Sequence, residues 1–168
     1  MRKLFTIGYE GANPKDFIRT LQEAKVTMLL DVREIPISRR RGFSKSALRD
    51  SLEQVGIDYQ HEKLLGSPKT TRHRLREDKN YQRFFKDFDR HLNEQWDLLE
   101  SLSEALKGNI ALMCYEKDYR ICHRTAVANA LGSITGKSIT HLGVHAYEST
   151  TKTCYPAYPY LSEGFSPA

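Results

Sequence analysis

Two kinds of hydrophobic spacing alternate along this chain. Lys3-Leu4-Phe5-Thr6-Ile7-Gly8 is rich in β-favouring residues and closes on glycine, which predicts a strand. After a loop over Gly8-Tyr9-Glu10-Gly11, Asn13 before Pro14 predicts a helix start. Asn accepts from the free amides of a first turn, and proline suits its first position. Phe17, Ile18, Leu21 and Ala24 then recur at helical steps. Val26 to Val32 is a near-continuous apolar run, as expected of a strand covered on both faces. Strand, helix and strand within about 30 residues predict a right-handed βαβ opening.

The segment Ile37-Ser38-Arg39-Arg40-Arg41-Gly42-Phe43 is too polar for a core and reads as a loop over the carboxyl edge of the sheet. Ser44 is placed to cap a helix carrying Leu48, Leu52 and Val55, stopped at Gly56, and Ile57-Asp58-Tyr59 reads as a short strand. Leu64 to Asp78 has no convincing period and reads as an exposed excursion, a candidate lid. From Tyr81 to Leu106, Phe84, Phe85, Phe88, Leu92, Trp96, Leu99, Leu102 and Leu106 step by threes and fours. They predict one long helix with a break near Asn93, its aromatics packed in the core rather than stacked on bases. Asn109 to Cys114 is a further buried strand, Arg124 to Leu131 a helix ended by Gly132, and Ser138 to Leu142 a last strand before an irregular tail rich in Tyr and Pro. The alternation predicts one α/β domain over residues 1–168, a three-layer sandwich on a mainly parallel sheet, Rossmann-like or rhodanese-like.

The chain has 168 residues, 39% of them apolar and 28% charged, so it is neither disordered nor of low complexity, and one core is expected. Its longest apolar runs, such as Ile110 to Cys114, fall far short of the roughly 20 residues of a membrane span. Arg2 to Thr6 runs straight into the first strand with no apolar signal core, so a cytoplasmic protein is expected. Three cysteines, Cys114, Cys122 and Cys154, do not make a disulfide framework and point to packing, catalysis or metal. The net charge is +5, yet Arg33 to Arg76 alone holds 11 basic and 5 acidic residues. That block suits phosphates or another anion, although a solvated basic face would read the same.

In open α/β sheets ligands bind beyond the carboxyl ends of the strands. Tyr9 and Glu10 follow the first strand, Asp31 and Arg33 end the second, and Cys114 with Glu116 ends the Asn109 strand. The expected helix start at Cys122-His123-Arg124 adds free amides and a dipole that favour an anion and a thiolate. Cys122 is therefore the first candidate nucleophile and Cys114 its resolving partner, against the plain alternative that both thiols pack. Glu10, Asp31 and Glu116 are a carboxylate group with Arg33, Arg39 and Arg124 as counter-charges, suited to acid/base work or to an ion-pair network. Tyr9 either donates to substrate or packs. Zinc is not favoured by the spacing. Cys114, Cys122 and His123 with His141 or His145 include no C-x-x-C pair, and adjacent Cys and His side chains are expected to diverge at a helix start, so neither metal nor cofactor is expected.

Assembled in this way, the chain resembles, over nearly its whole length, the bacterial and archaeal family named Domain of Unknown Function 488. The resemblance is carried by Ile7-Gly8-Tyr9-Glu10-Gly11, by Asp31-Val32-Arg33 with Pro36, Ser38 and Arg39, by Gly42-Phe43-Ser44-Lys45, by Leu65-Gly66, and by Cys114, Glu116 and Cys122-His123-Arg124. It implies a shared site rather than a known reaction. A weaker likeness is to rhodanese-type sulfurtransferases, through Leu30-Asp31-Val32-Arg33-Glu34 and a cysteine after a later strand. Their persulfide loop is short and usually contains glycine, whereas Tyr115 to Ile121 is longer, charged and glycine-free.

The expected function is an enzyme whose crevice takes an anionic substrate, a nucleotide or nucleic acid. Glu10, Glu116, Cys122 and Cys114 are its candidate catalytic groups, and Tyr9, Asp31, Arg33, Ser38, Arg39, His123 and Arg124 its binding groups. Hydrolytic or glycosidic cleavage would use a carboxylate to activate water. Rhodanese-like sulfur transfer and a non-catalytic nucleic-acid-binding module are the alternatives. No membrane partner is expected. A homodimer is compatible with the sequence, though no coiled-coil seam specifies one.

Overall fold

The structure, a computed structural model, describes residues 1–147 of the chain; Cys154 and the tail beyond 147 lie outside the described residues. Five strands form one parallel sheet: β1 (Lys3–Gly8), β2 (Met28–Asp31), β3 (Asp58–His61), β4 (Asn109–Cys114) and β5 (Ile139–Leu142), in the order β3-β2-β4-β1-β5. The α/β class read from the sequence is therefore the observed one. The two strands of the opening βαβ unit are not neighbours, because β4 lies between them and pairs with both.

Residue alternation along the strands feeds two cores. Phe5, Ile7, Leu29, Ala111 and Met113 face Phe17 and Leu21 of α1 (Pro14–Glu23) and Leu48 and Leu52 of α2 (Lys45–Glu53). Leu4, Leu30, Ile110 and Leu112 face the other side. There they meet Phe88 and Leu92 of α4 (Tyr81–Asn93), Leu99 and Leu102 of α5 (Trp96–Ala105), and Val127 and Leu131 of α6 (Arg124–Thr135). A side chain changes face at every residue, so a sheet covered on both sides needs an apolar residue at every position. Ile110 to Met113, all fully buried, supply that in the central strand. Each such side chain contributes about 1.5–3 kcal/mol on burial.

Several local expectations are corrected. The supposed excursion over residues 64–78 is a short 3-10 turn at Lys63–Leu65 followed by a helix, α3 (Lys69–Asp78), which buries none of its side chains. It has no apolar stripe to read because ion pairs, Arg72 to Glu34 at 2.6 Å and Arg74 to Asp87 at 3.2 Å, attach it to its surroundings. The break read near Asn93 is observed, at Glu94 and Gln95 between two helices, but Trp96 is not in the core: it is partly exposed, its indole N–H donating to Glu100 at 3.1 Å. Helix α6 passes through Gly132 and stops at Gly136, whose φ of 65° is the left-handed conformation that ends helices. Ser44 precedes α2 without capping it; its hydroxyl instead bridges the amide and carbonyl of Ser38 and closes the basic loop on itself. Among the described residues no helix is long and apolar enough to cross a membrane.

Candidate functional site

Because all five strands run the same way, their carboxyl ends share one edge. Gly8 stands opposite Cys114 in the register, and two further backbone bonds, Tyr9 N–H to Cys114 O at 3.3 Å and Glu10 N–H to Tyr115 O at 2.8 Å, carry the pairing past the sheet. A cavity of about 830 Å³ opens at this edge. Strand alternation divides the polar residues here into two groups, with Tyr9 in the α1–α2 core and Cys114 on the opposite face, in step with Ile110 and Leu112.

The first group is a closed network. Asp31, fully buried, receives Arg33 Nε at 2.8 Å, Arg33 Nη2 at 2.5 Å, the Arg33 amide at 3.1 Å and the Tyr59 hydroxyl at 2.6 Å. Arg33 Nη1 donates to the Tyr9 hydroxyl at 3.0 Å and to Phe43 O at 2.9 Å, and the rings of Tyr9 and Phe43 stack at 4.4 Å. Burial alone would lower the Arg33 pKa, but the bidentate Asp31 raises it and keeps the guanidinium charged. Burial and the Asp31 carboxylate together push the Tyr59 hydroxyl up. These contacts fasten the basic loop to the sheet. Asp31 does not line the cavity, and Arg33 reaches it with most of its donors already engaged.

The second group lies at the inner end of the cavity. Both Cys114 Sγ and Cys122 Sγ donate to one oxygen, Glu116 Oε2, at 3.2 and 3.0 Å. His123 Nδ1 lies 3.7 Å from Cys114 Sγ, and its Nε2 contacts Val32 O at 2.7 Å. A carbonyl only accepts, so Nε2 carries the proton, and in the neutral ring Nδ1 presents a lone pair to the thiol. Burial would raise the Glu116 pKa, but the thiol donors, its backbone amide and the charge of His123 outweigh it and lower it. Burial would lower His123, yet the Cys122 sulfur, the Val32 carbonyl and Glu116 raise it. Cys122 runs against expectation. At 1% exposure it is desolvated, and burial pushes its thiol well up instead of favouring a thiolate.

The expected divergence of Cys122 and His123 is also corrected. The helix begins only at Arg124; Cys122 is extended (φ −116°, ψ 134°) after a 3-10 turn over Tyr119–Ile121, and His123 turns into the helical region (φ −58°, ψ −24°). That change of backbone direction brings the two side chains together. The ligand atoms of Cys114, Cys122 and His123 lie within 4.8 Å of one another, so these three could hold a metal ion. His141 stands apart on β5, bonded to Thr6 at 2.7 Å and stacked on Tyr119, and the His145 amide lies by Thr20.

The loop from Tyr115 to Ile121 is rigidly held. Arg124, 1% exposed, donates to Glu116 O at 2.5 Å and Lys117 O at 3.3 Å, while Glu10, itself exposed, accepts the Lys117 amide at 3.0 Å. Gly8 makes room for it, since a Cβ there would stand 1.9 Å from Glu116 O. Arg124 and Glu10 therefore brace the loop and lie outside the cavity, and Cys122 sits behind Glu116. Tyr9, Arg33, Ser38, Arg39, Cys114, Glu116 and His123 do line it.

Sequence reasoning missed the part of the lining that comes from α3 and its flanks, Arg72, Arg76 and Lys79 together with Ser67 and Tyr81. The spacing of 72, 76 and 79 is one face of a helix, a signal that could have been read had a helix been expected there. Arg40 joins Arg39 in the lining. Ser67, 2% exposed, has a hydroxyl with no hydrogen-bond partner. The exposed Ile35, Ile37, Tyr81, Tyr115 and Ile121 also border the opening.

Compared with known proteins, residues 13–131 match the family model described as "Domain of unknown function DUF488", which is well over half of the chain. No curated protein and no solved structure matches it.

Proposed function

The chain belongs to the family described as domain of unknown function DUF488, and on the chemistry of its cavity we propose that it is a hydrolase of a nucleotide or nucleic acid, with Glu116 activating the water. One observation carries this reading. Glu116 and the groups around it lie at the inner end of a cavity whose walls are strongly basic. Arg39 and Arg40 of the loop after β2 and Arg76 and Lys79 of the α3 segment all line it and make no ion pair among the described residues. Cations without partners in one cleft focus an attractive field on an anion.

The remaining lining supports a nucleotide in particular. A volume of about 830 Å³ lies in the range of small-molecule and cofactor sites. Tyr81 and Tyr115 at the opening offer faces for base stacking. A buried hydroxyl without a partner is costly, so the Ser67 hydroxyl favours a ligand or water that can bond it. The two free thiols suit a reducing, cytoplasmic setting.

Incubation with nucleosides, nucleotides and oligonucleotides, followed by chromatography and mass spectrometry of the products, tests the proposal. Glu116→Gln is expected to lower turnover by roughly 10²–10⁴-fold while binding persists. Equal turnover by wild type and variant would sink it. Salt-dependent binding with no turnover would instead favour a non-catalytic nucleic-acid-binding module.

The 3.7 Å approach of His123 Nδ1 to Cys114 Sγ favours a second reading, thiol chemistry of the sulfur-transfer kind. It predicts that Cys114→Ser abolishes activity, that Glu116→Gln does not, and that a persulfide or other covalent adduct forms on Cys114.

A further inference from the structure

We infer that Cys114 Sγ, Cys122 Sγ and His123 Nδ1 bind one zinc ion at the inner end of the cavity. The donor set comes first. Two sulfurs and an imidazole nitrogen are the borderline-soft ligands that zinc takes, and three protein ligands with one position left for water is the arrangement of catalytic zinc. Packing explains a buried cysteine, but it does not require two thiols and a histidine to converge.

Spacing supports the same assignment. With Zn–S near 2.3 Å and Zn–N near 2.0 Å, tetrahedral bonding sets sulfur and nitrogen about 3.6 Å apart. Cys114 Sγ and His123 Nδ1 are 3.7 Å apart, and all three ligand atoms fall within 4.8 Å. The ligands also stand on rigid backbone, the end of the central strand β4 and the turn that begins α6. A histidine that ligates a metal usually donates its other N–H to a carbonyl or carboxylate, which fixes tautomer and ring angle. His123 has that partner already in Val32 O at 2.7 Å.

Glu116 supplies an independent observation. Its half-buried carboxylate has two S–H groups as the side-chain partners of Oε2, and thiols are weak donors. A metal on these sulfurs would set a bound water, a stronger donor than either thiol, beside the carboxylate. On binding, the two thiol protons leave to solvent, the metal is held by two thiolates and a neutral imidazole, and its +2 charge is balanced. Cys114, Glu116 and His123 border the cavity, so the fourth position faces it, with Glu116 at hand to take a proton from a bound water. The site stands on side-chain geometry; its part in turnover rests on the hydrolytic reading.

The experiment uses the full chain, reduced, stripped with a chelator and titrated with zinc against a chromophoric competitor, then with cobalt as a spectroscopic stand-in. One zinc per chain is expected, and the cobalt form should show thiolate-to-cobalt charge transfer with the intense visible bands of a four-coordinate site. Loss of a mere outer-shell partner costs about 10–100-fold in affinity, so Cys122→Ser and His123→Asn are expected to weaken binding by at least about 100-fold. His141→Gln, which alters a histidine away from the cluster, should bind as wild type does. Zinc should protect Cys114 and Cys122 from alkylation in the wild-type chain, a measurement that needs no variant to fold.

Zinc uptake no greater than that of the Cys114→Ser, Cys122→Ser double variant, a cobalt spectrum without thiolate bands, or both thiols alkylated under saturating zinc would each overturn the site. Glu116→Gln should keep its zinc; its loss there overturns the three-ligand assignment. One zinc per chain without turnover on any nucleotide leaves the site standing and removes the hydrolytic reading. Full turnover by the metal-free chain does the reverse, removing zinc from the reaction.

Discussion

The two polar groups at the carboxyl edge occupy opposite faces of one sheet, yet they are built on different principles. Around Asp31, a guanidinium, a phenol and a backbone amide satisfy a buried carboxylate, and the network ends on the carbonyl of Phe43. Around Glu116, the side-chain donors to a half-buried carboxylate are thiols, and the group borders a cavity. The first arrangement resists change because every departure leaves a charge unpaired in a dry place. The second has bonding capacity in reserve, and that capacity faces the cavity. Charged residues near a cleft are therefore not equivalent: saturated ones hold the frame, unsaturated ones are available for chemistry.

Five substitutions test the contrast. Arg33→Ala should cost about 3–5 kcal/mol of unfolding free energy in urea, since it leaves Asp31 buried without its partner. Cys114→Ser, on the other face, should cost at most about 1.5 kcal/mol, within the common range for single substitutions. Similar losses for the two would show that the groups are equally structural. Tyr59→Phe removes one donor to the same carboxylate and should cost about 1.5–3 kcal/mol, read by the same unfolding curves. Arg39→Ala should leave stability within about 0.5 kcal/mol while lowering affinity for a single-stranded oligonucleotide and flattening its salt dependence by roughly 0.7 per lost phosphate contact. Ser67→Ala should be the mildest, with folding unchanged and oligonucleotide affinity reduced by about 0.5–1.5 kcal/mol in a fluorescence titration.

The strands and their chemistry-bearing ends were legible, because buried parallel strands are marked by unbroken apolar runs such as Ile110 to Cys114 and all such runs end at one edge. The order of the strands was not, since nothing local in β4 says that it inserts between β1 and β2. Helix α3 escaped notice because it buries nothing and so carries no apolar period. The role of Arg33 depends on Tyr9 and Phe43, residues distant in sequence, and could be read only as one of two alternatives. The meeting of Cys122 with His123 was missed for a smaller reason. The helix begins at Arg124 as read, but treating Cys122-His123-Arg124 as one helix start gives the extended Cys122 a helical backbone and sends the sulfur elsewhere.

Gly8 has a consequence for how the protein tolerates change. In a saturation library selected for function, position 8 should return the parent residue almost alone, because any larger side chain meets the carbonyl of Glu116 and displaces the loop that holds that carboxylate. The effect would register as lost activity in a chain that still folds. A residue without a side chain thus sets the position of Glu116 more strictly than most residues that touch it.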